Sequence, residues 1–478
     1  MSRNRLNRSK IVATVGPASN NKETLKQLIE AGANVFRLNF SHGSHQDHQK
    51  VINLVRELND EMGTHVALLQ DLQGPKIRTN QIVNGEVQIK AGDKLTITTE
   101  DLEGNNEVIS TTYQSLPKDV KPGEMILIDD GKLELLVEES DEKSVITKVI
   151  YGGSLKSRKG INLPQSNVSA PSLTEKDEKD LEFGLSQHVD WVALSFVREA
   201  KDIIDLKARI AAAGTHTKVV AKIEKPEALK NIDAILDATD GVMVARGDLG
   251  VEIEMEDVPV WQKIIVEKCN VLGKPVIIAT QMMESMIENP RPTRAETNDV
   301  ANAVLDGADA LMLSAESAAG KYPVLAVKSM ARTIMAIEAK KEEVYNKFSE
   351  KVDPTANENP GVMLIRSACQ LSRNANVKAI ISMTKSGFTG YEVAKYRPKA
   401  EIYVFTDDRK LINQLSLVWG VRGFWYDKME SINKTFEDLQ NKLKNSQLLE
   451  VGDIVVNTAS MPLHWKGHTN MMKINEVE

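Results

Sequence analysis

Residues Val219–Gly250 read VVAKIEKPEALKNIDAILDATDGVMVARGDLG. VVAKIE is a short β-rich apolar run that ends in charges. EALKNIDAILDAT has apolar residues at helical spacing, and GVMVA is apolar again before RGDLG. Strand, helix, strand in so short a span predicts a parallel sheet. Lys222 and Glu224 are two apart, so on a strand they share one face. Asp248 follows the end of the next strand. An ammonium beside two carboxylates at strand C-terminal ends suits a divalent metal next to a phosphorylated acid. A salt-bridged strand end would explain any one of the three alone, but not three at two consecutive strand ends.

Reading outward, the same alternation recurs. Lys10–Gly16 is a first strand and Asn21–Ala33 a helix with one apolar face. Val35–Ser41 is a second strand whose Arg37, Asn39 and Ser41 project to one side among apolar neighbours. A core strand with a wholly polar face must line something wet. VALLQDLQGPKIR (66–78) is a third strand, running through Asp71 into a Gly-Pro break. WVALSF, VVAKIE, GVMVA, PVIIATQ and ALMLSAE supply five more, giving the eight repeats of a (β/α)8 barrel. Its strand ends carry Arg37, Asn39, Ser41, Asp71, Lys222, Glu224, Asp248, Thr280 and Glu316.

Ile77–Val168 interrupts this series with short alternating runs (EVQIK, KLTITT, MILIDD, KLELLVEE, SVITKVI) between Asn84-Gly85, Pro122-Gly123 and Gly152-Gly153 turns. A small β-rich domain inserted over 75–170 is expected, with the barrel at 1–74 and 171–345. A long helix over 324–348 and a polar linker, Ser349–Pro360, lead to a C-terminal α/β domain at 346–478. There Thr384, Lys385, Ser386, Gly387 and Thr389 lie between a strand and a helix pattern. They form either a phosphate-binding loop or a plain strand-to-helix turn.

Composition narrows the function. Lys and Arg total 60 against 67 Asp and Glu, a net charge of −7, which argues against nucleic acid as a main partner. Cys269 and Cys369 are the only cysteines, without metal-ligand spacing, and point to a reducing compartment. MSRNRLNRSK is followed by no apolar signal core, and no run approaches transmembrane length, so a cytoplasmic protein with no membrane partner is expected. His42, His45 and His48 lack the usual zinc spacing, and Ser44 with Asp47 reads as a helix N-cap instead. The chain has neither a P-loop, nor G-x-G-x-x-G, nor a G-x-S-x-G elbow.

The segments KIVATVGPAS, VFRLNFSHG, QDLQGPKIR, KGINLP, AKIEKPEAL, MVARGDLGVE, IATQMMESM, NPRPTRAE, DVANAVLDGADALMLSAESA and TKSGFTGYEVAKYRP, in this order, resemble the pyruvate kinase family over nearly the whole chain. The resemblance implies phosphoryl transfer from phosphoenolpyruvate to ADP, giving pyruvate and ATP, with Mg²⁺ or Mn²⁺. It implies that Glu224 and Asp248 hold the divalent ion and that Lys222, with Arg37, offsets charge on the moving phosphoryl group. Thr280 is implied near the proton donor to the enolate, with Glu316 in that network. Ala245, Arg246, Gly247 and Asp248 are implied to hold the substrate, and Asn39, His42, Arg78 and Lys159 the nucleotide under a closing lid.

Asn39, Ser41, Asp71 and Leu72 resemble the family's monovalent cation site. Lys76 stands where K⁺-requiring members carry glutamate, so its tethered ammonium is expected to take the cation's place and to allow activity without added K⁺. Leu72-Gln73 agrees with that, while Thr79 resembles the other subgroup. A homotetramer activated by a sugar phosphate or nucleotide through the 384–389 loop is also implied. Phe388 departs from a frequent arginine, and Ala459-Ser460 from a glycine-containing turn, while Gly467, Thr469 and Asn470 are kept. A member without the extra C-terminal domain that some bacterial members add is expected. A metal-dependent barrel lyase or aldolase and a non-catalytic binding protein are the competing readings. Arg78 and Lys159 argue against the first, and retention of Lys222 with both metal carboxylates against the second.

Overall fold

The computed structural model describes residues 7–346, 359–428, 431–461 and 469–478. Eight parallel strands close into a barrel: β1 (Lys10–Val15), β2 (Val35–Asn39), β3 (Ala67–Asp71), β4 (Trp191–Leu194), β5 (Lys218–Ile223), β6 (Gly241–Ala245), β7 (Val276–Ala279) and β8 (Ala310–Leu313). Each strand pairs with its neighbour in sequence, and β1 pairs with β8. Alternate residues point inward, so Val12, Val35, Leu69, Val220, Met243 and Ile277 fill the interior as a packed core. The polar residues that follow the strands are thereby left at one open rim.

Two helices differ from the reading of the sequence. The expected single helix after β5 is broken at Asn231 into Pro226–Lys230 and Ile232–Ala238. Asn231 has φ −102° and ψ 14°, outside helical geometry. The long helix after β8 covers Pro323–Lys340, and a 3₁₀ turn over Glu342–Val344 follows it. The expected linker, apart from Asn359 and Pro360, lies outside the described residues, as does Gly467.

Between β3 and the helix Glu175–Ser186, a six-stranded and a two-stranded sheet enclose their own apolar cluster, among them Ile97, Ile126, Leu135 and Val149. The C-terminal region builds a five-stranded sheet in which Val421–Trp425, Glu401–Thr406, Ala379–Met383 and Ile454–Ala459 run parallel. Met471–Glu476 adds an antiparallel edge.

This C-terminal sheet domain seats on the floor of the barrel. Leu417 belongs to the cluster that fills the barrel interior. The Trp191 indole donates to the Gln414 carbonyl at 3.2 Å, and the Lys10 ammonium to the Val421 carbonyl at 2.8 Å. Arg397, 2% exposed, meets Asp309 with both terminal nitrogens and lies over the Trp419 ring.

Candidate active site

The rim above β2, β3 and β5 holds a compact lattice of opposite charges. Arg37 Nε donates to Asp71 Oδ2 at 2.6 Å, and its Nη1 to Thr14 Oγ1 at 3.0 Å. Lys222 Nζ is 3.2 Å from Asp71 Oδ1 and 3.0 Å from Glu224 Oε1. It donates to Ser195 Oγ at 2.7 Å, and that hydroxyl in turn donates to the Leu72 carbonyl at 2.7 Å. Asp71 Oδ1, though within ion-pair reach of Lys222, has no aligned hydrogen bond. Asp71 and Glu224 side chains are each 1% exposed.

Burial sets the electrostatics here and the partners correct it. Burial alone would raise the Asp71 pKa, but Lys222 and Arg37 outweigh it and hold the carboxylate below its ordinary value. Burial opposes the Lys222 charge too, yet Asp71 and Glu224 keep the ammonium above its usual range. Glu224 is pushed up: burial dominates, Lys222 pulls back, and the nearby Asp248 charge raises it further. Two carboxylates that repel across a half-open rim are a pair that a divalent cation would relieve. Glu224 and Asp248 therefore fit a hard cation by donor chemistry. Among the described residues, no cluster of three or more His, Cys, Asp and Glu side chains could hold a metal by itself.

Asp248 lies in the short helix Arg246–Glu252 just after β6. Its Oδ1 is 3.7 Å from Lys76 Nζ, with both side chains about a third exposed (32%). Lys76 is thus on the Asp248 side of the rim and not against Asp71 in the cluster expected to receive it; there the ammonium is that of Lys222. Asn39 Oδ1 accepts from the Ser41 amide at 3.1 Å, and the Leu72 carbonyl is taken by Ser195.

Thr280 has φ +68° and Gln281 φ +54°. Positive φ at a β-branched residue is a genuine outlier, held only where its surroundings over-determine it. The holding contacts are plain: the Gly247 amide donates to Thr280 Oγ1 at 2.7 Å, and that hydroxyl donates to the Ala279 carbonyl at 2.6 Å. Arg246 braces the same loop, donating to the Thr280 carbonyl at 2.8 Å and pairing with Asp299 at 2.7 Å. Gly247 packs closely here: a Cβ there would sit 3.3 Å from Thr280 Oγ1, so the threonine would have to shift by a few tenths of an ångström. Glu316, 2% exposed, receives the Met283 amide at 3.1 Å and the Ser314 amide at 2.7 Å. Burial raises its pKa against these two donors.

Arg78 and Lys159 come together on the inserted domain, where Arg78 bridges Gly160 antiparallel and the Thr79 amide donates to the Lys159 carbonyl. Lys159 Nζ pairs with Asp129 at 2.8 Å. His42 is exposed beyond β2. The other two histidines of that stretch, in the first turn of the helix His45–Met62, are engaged. His48 stacks on Phe40, and His45 stacks on Phe183 while meeting Asp180 at 2.7 Å. Ser44 and Asp47 form a reciprocal capping box.

The C-terminal loop lies far from this rim in the fold. Gly387 has φ +81°, its amide donates to Thr384 Oγ1 at 3.1 Å, Lys385 pairs with Asp407, and Thr389 Oγ1 meets Thr469 Oγ1 at 2.7 Å. Only Ser386 is exposed among the five.

Sequence reading did not single out Ser195, Phe196 or Asp299. Phe196 has φ +55° and its amide donates to Glu224 Oε2 at 2.8 Å. The one signal was position: Ser195 is the first polar residue after the four apolar ones of β4.

Residues 6–327 match the family model for the pyruvate kinase barrel domain, and residues 363–475 that for the pyruvate kinase alpha/beta domain. The chain belongs to the pyruvate kinase family. Pyruvate kinase 2 of Synechocystis is 48% identical over 98% of this chain and 79% of its own length. The pyruvate kinase of Geobacillus stearothermophilus is 45% identical over 98% of this chain and 80% of its own. A crystal structure of a pyruvate kinase from Cryptosporidium parvum superposes with TM-score 0.92 at 37% identity, covering 99% of this chain and 96% of that one. As a pyruvate kinase, the protein is a phosphotransferase acting on phosphoenolpyruvate and ADP.

Proposed function

We propose that the rim lattice performs the transfer as follows. Arg37 and Lys222 stand where negative charge gathers on the phosphoryl group, and both are fixed beforehand by Asp71, so no reorganisation is needed during transfer. The lattice of Arg37, Asp71, Lys222 and Glu224 is the observation that carries this reading. Glu224 and Asp248 are the residues that would hold Mg²⁺ or Mn²⁺, which when bound supplies charge neutralisation and orients the phosphoryl oxygens. Ala245–Asp248 position the substrate carboxylate. Thr280 orients the proton donor to the enolate, and Glu316, with both oxygens on backbone amides, holds the two loops around it. Arg78, Lys159, Asn39 and His42 face the nucleotide, and the inserted domain closes over it to exclude water.

Activity needs no added K⁺ on this reading. The Lys222 ammonium already stands against Asp71, and Lys76 adds a second fixed charge beside Asp248. Regulation through the 384–389 loop by a phosphorylated metabolite, a homotetrameric assembly and a cytoplasmic location complete the proposal. No helix among the described residues is long and apolar enough to cross a membrane.

The test is pyruvate formation from phosphoenolpyruvate and ADP with Mg²⁺ in K⁺-free buffer, for wild type and Lys76→Glu. Turnover by wild type, with K⁺ dependence appearing in Lys76→Glu, supports reaction and cation reading together. Activity of wild type only with K⁺ removes the cation reading. No pyruvate under any cation condition removes the whole mechanism.

A further inference from the structure

One buried ion pair near the rim has no part in the mechanism above. Lys225 Nζ donates to Glu252 Oε1 at 2.7 Å, and Asn162 Nδ2 donates to the same oxygen at 2.8 Å. The Glu252 side chain is 1% exposed, and its other oxygen is buried without a hydrogen bond. Burying such a charge costs several kcal/mol unless it is paired, so the three residues hold one another in place.

They come from three separate segments. Lys225 directly follows Glu224 at the exit of β5. Glu252 ends the helix Arg246–Glu252, one turn beyond Asp248. Asn162 is in the last short strand of the inserted domain, Ile161–Asn162. A cavity of about 30 Å³ is lined by the three residues of this joint together with Lys76, Phe196 and Asp248. That is room for little more than a water. Arg198 fastens the returning chain nearby, donating to the Val168 carbonyl and, at 2.7 Å, to the Ala170 carbonyl.

We propose that Asn162, Glu252 and Lys225 are positioning residues that register the inserted domain against the segments bearing Glu224 and Asp248. A single carboxylate oxygen then sets the angle of the lid over the nucleotide. The proposal rests on the reading that the inserted domain covers the nucleotide.

Asn162→Asp places a second carboxylate against Glu252. The expected result is a rise in KM for ADP of about tenfold, the worth of one charge-assisted hydrogen bond, with KM for phosphoenolpyruvate nearly unchanged. Amide hydrogen exchange at 161–163 and 246–252 should quicken in the same protein. Asn162→Asp/Glu252→Gln restores a donor facing an acceptor and leaves Lys225 a carboxylate, so it should return toward wild type in both readouts. Asn162→Ala removes the bond without adding charge, and serves if Asn162→Asp does not fold.

Unchanged ADP KM in the Asn162 variants would overturn the proposal. So would a parallel rise in both KM values, or a double variant no nearer wild type than Asn162→Asp. If wild type forms no pyruvate, the mechanism fails by itself, and exchange decides: unaltered exchange at 246–252 overturns the joint.

Discussion

Lys222 and Glu224, two apart where β5 leaves the barrel, meet at 3.0 Å while Lys222 also reaches Asp71 on a strand two places away. One ammonium thus bridges two buried carboxylates, with Arg37 as the second cation on Asp71. Lys222→Met should lower kcat by about 10²–10³, the usual cost of losing one preorganised charge at a transition state. It should also drive Glu224 toward protonation and weaken Mn²⁺ binding, which titration of the variant would measure.

Ser195 is the hidden support of that ammonium, and Gly74 guards it. Gly74 has φ +69°, and a Cβ there would lie 2.8 Å from the Phe196 ring and 2.9 Å from Ser195 Cβ. Gly74→Ala should therefore destabilise by about 1–3 kcal/mol through strain and overpacking, and lower kcat as Ser195 shifts. Ser195→Ala should lower kcat with a smaller loss of melting temperature. Steady-state rates and thermal melts of the two variants give the comparison.

Asp190, buried at the start of β4, accepts from the Leu68 amide at 2.8 Å, and burial pushes its pKa up to about 7 against that bond and one from Asn413. Below its ordinary value of 3.8 both folded and unfolded chains are protonated and the group is neutral in effect. Between there and about 7 only the unfolded chain ionises, so folding stability falls as pH rises, by up to about 1.4 kcal/mol per pH unit. Above that range the penalty is constant. Asp190→Asn should lose this slope, so melting temperatures of variant and wild type should diverge in the variant's favour from pH 5 to 7.

Arg397 and Asp309 join the C-terminal domain to the barrel through two contacts, at 3.0 and 2.9 Å, both side chains nearly fully buried. Removing one partner leaves an unpaired buried charge. Asp309→Asn or Arg397→Met should each cost about 3–5 kcal/mol, and the double variant less than their sum. Denaturant unfolding of the three proteins checks it.

Much of this architecture was legible because periodicity and burial coincide. Arg37, Asn39 and Ser41 alternate with buried neighbours, and the structure leaves just those three half-exposed. Lys222 and Glu224 share a face for the same reason. What escaped the sequence are contacts between distant segments. Ser195 looks like any strand-end serine until Lys222 is folded against it, and nothing local marks Asn162, Lys225 and Glu252 as one unit. The positive φ at Thr280 and Phe196 was equally invisible, since neither residue is a turn former. The helix break at Asn231 was missed because apolar spacing continues straight across it.

Leu417 fills the floor of the barrel from outside the barrel's own sequence. A chimaera that joins these eight strands to a foreign C-terminal domain would inherit whatever side chain that domain offers at this one place. Compatibility between exchanged halves should then follow the volume delivered there, with a leucine-to-alanine mismatch costing about 2–5 kcal/mol, more closely than it follows overall identity.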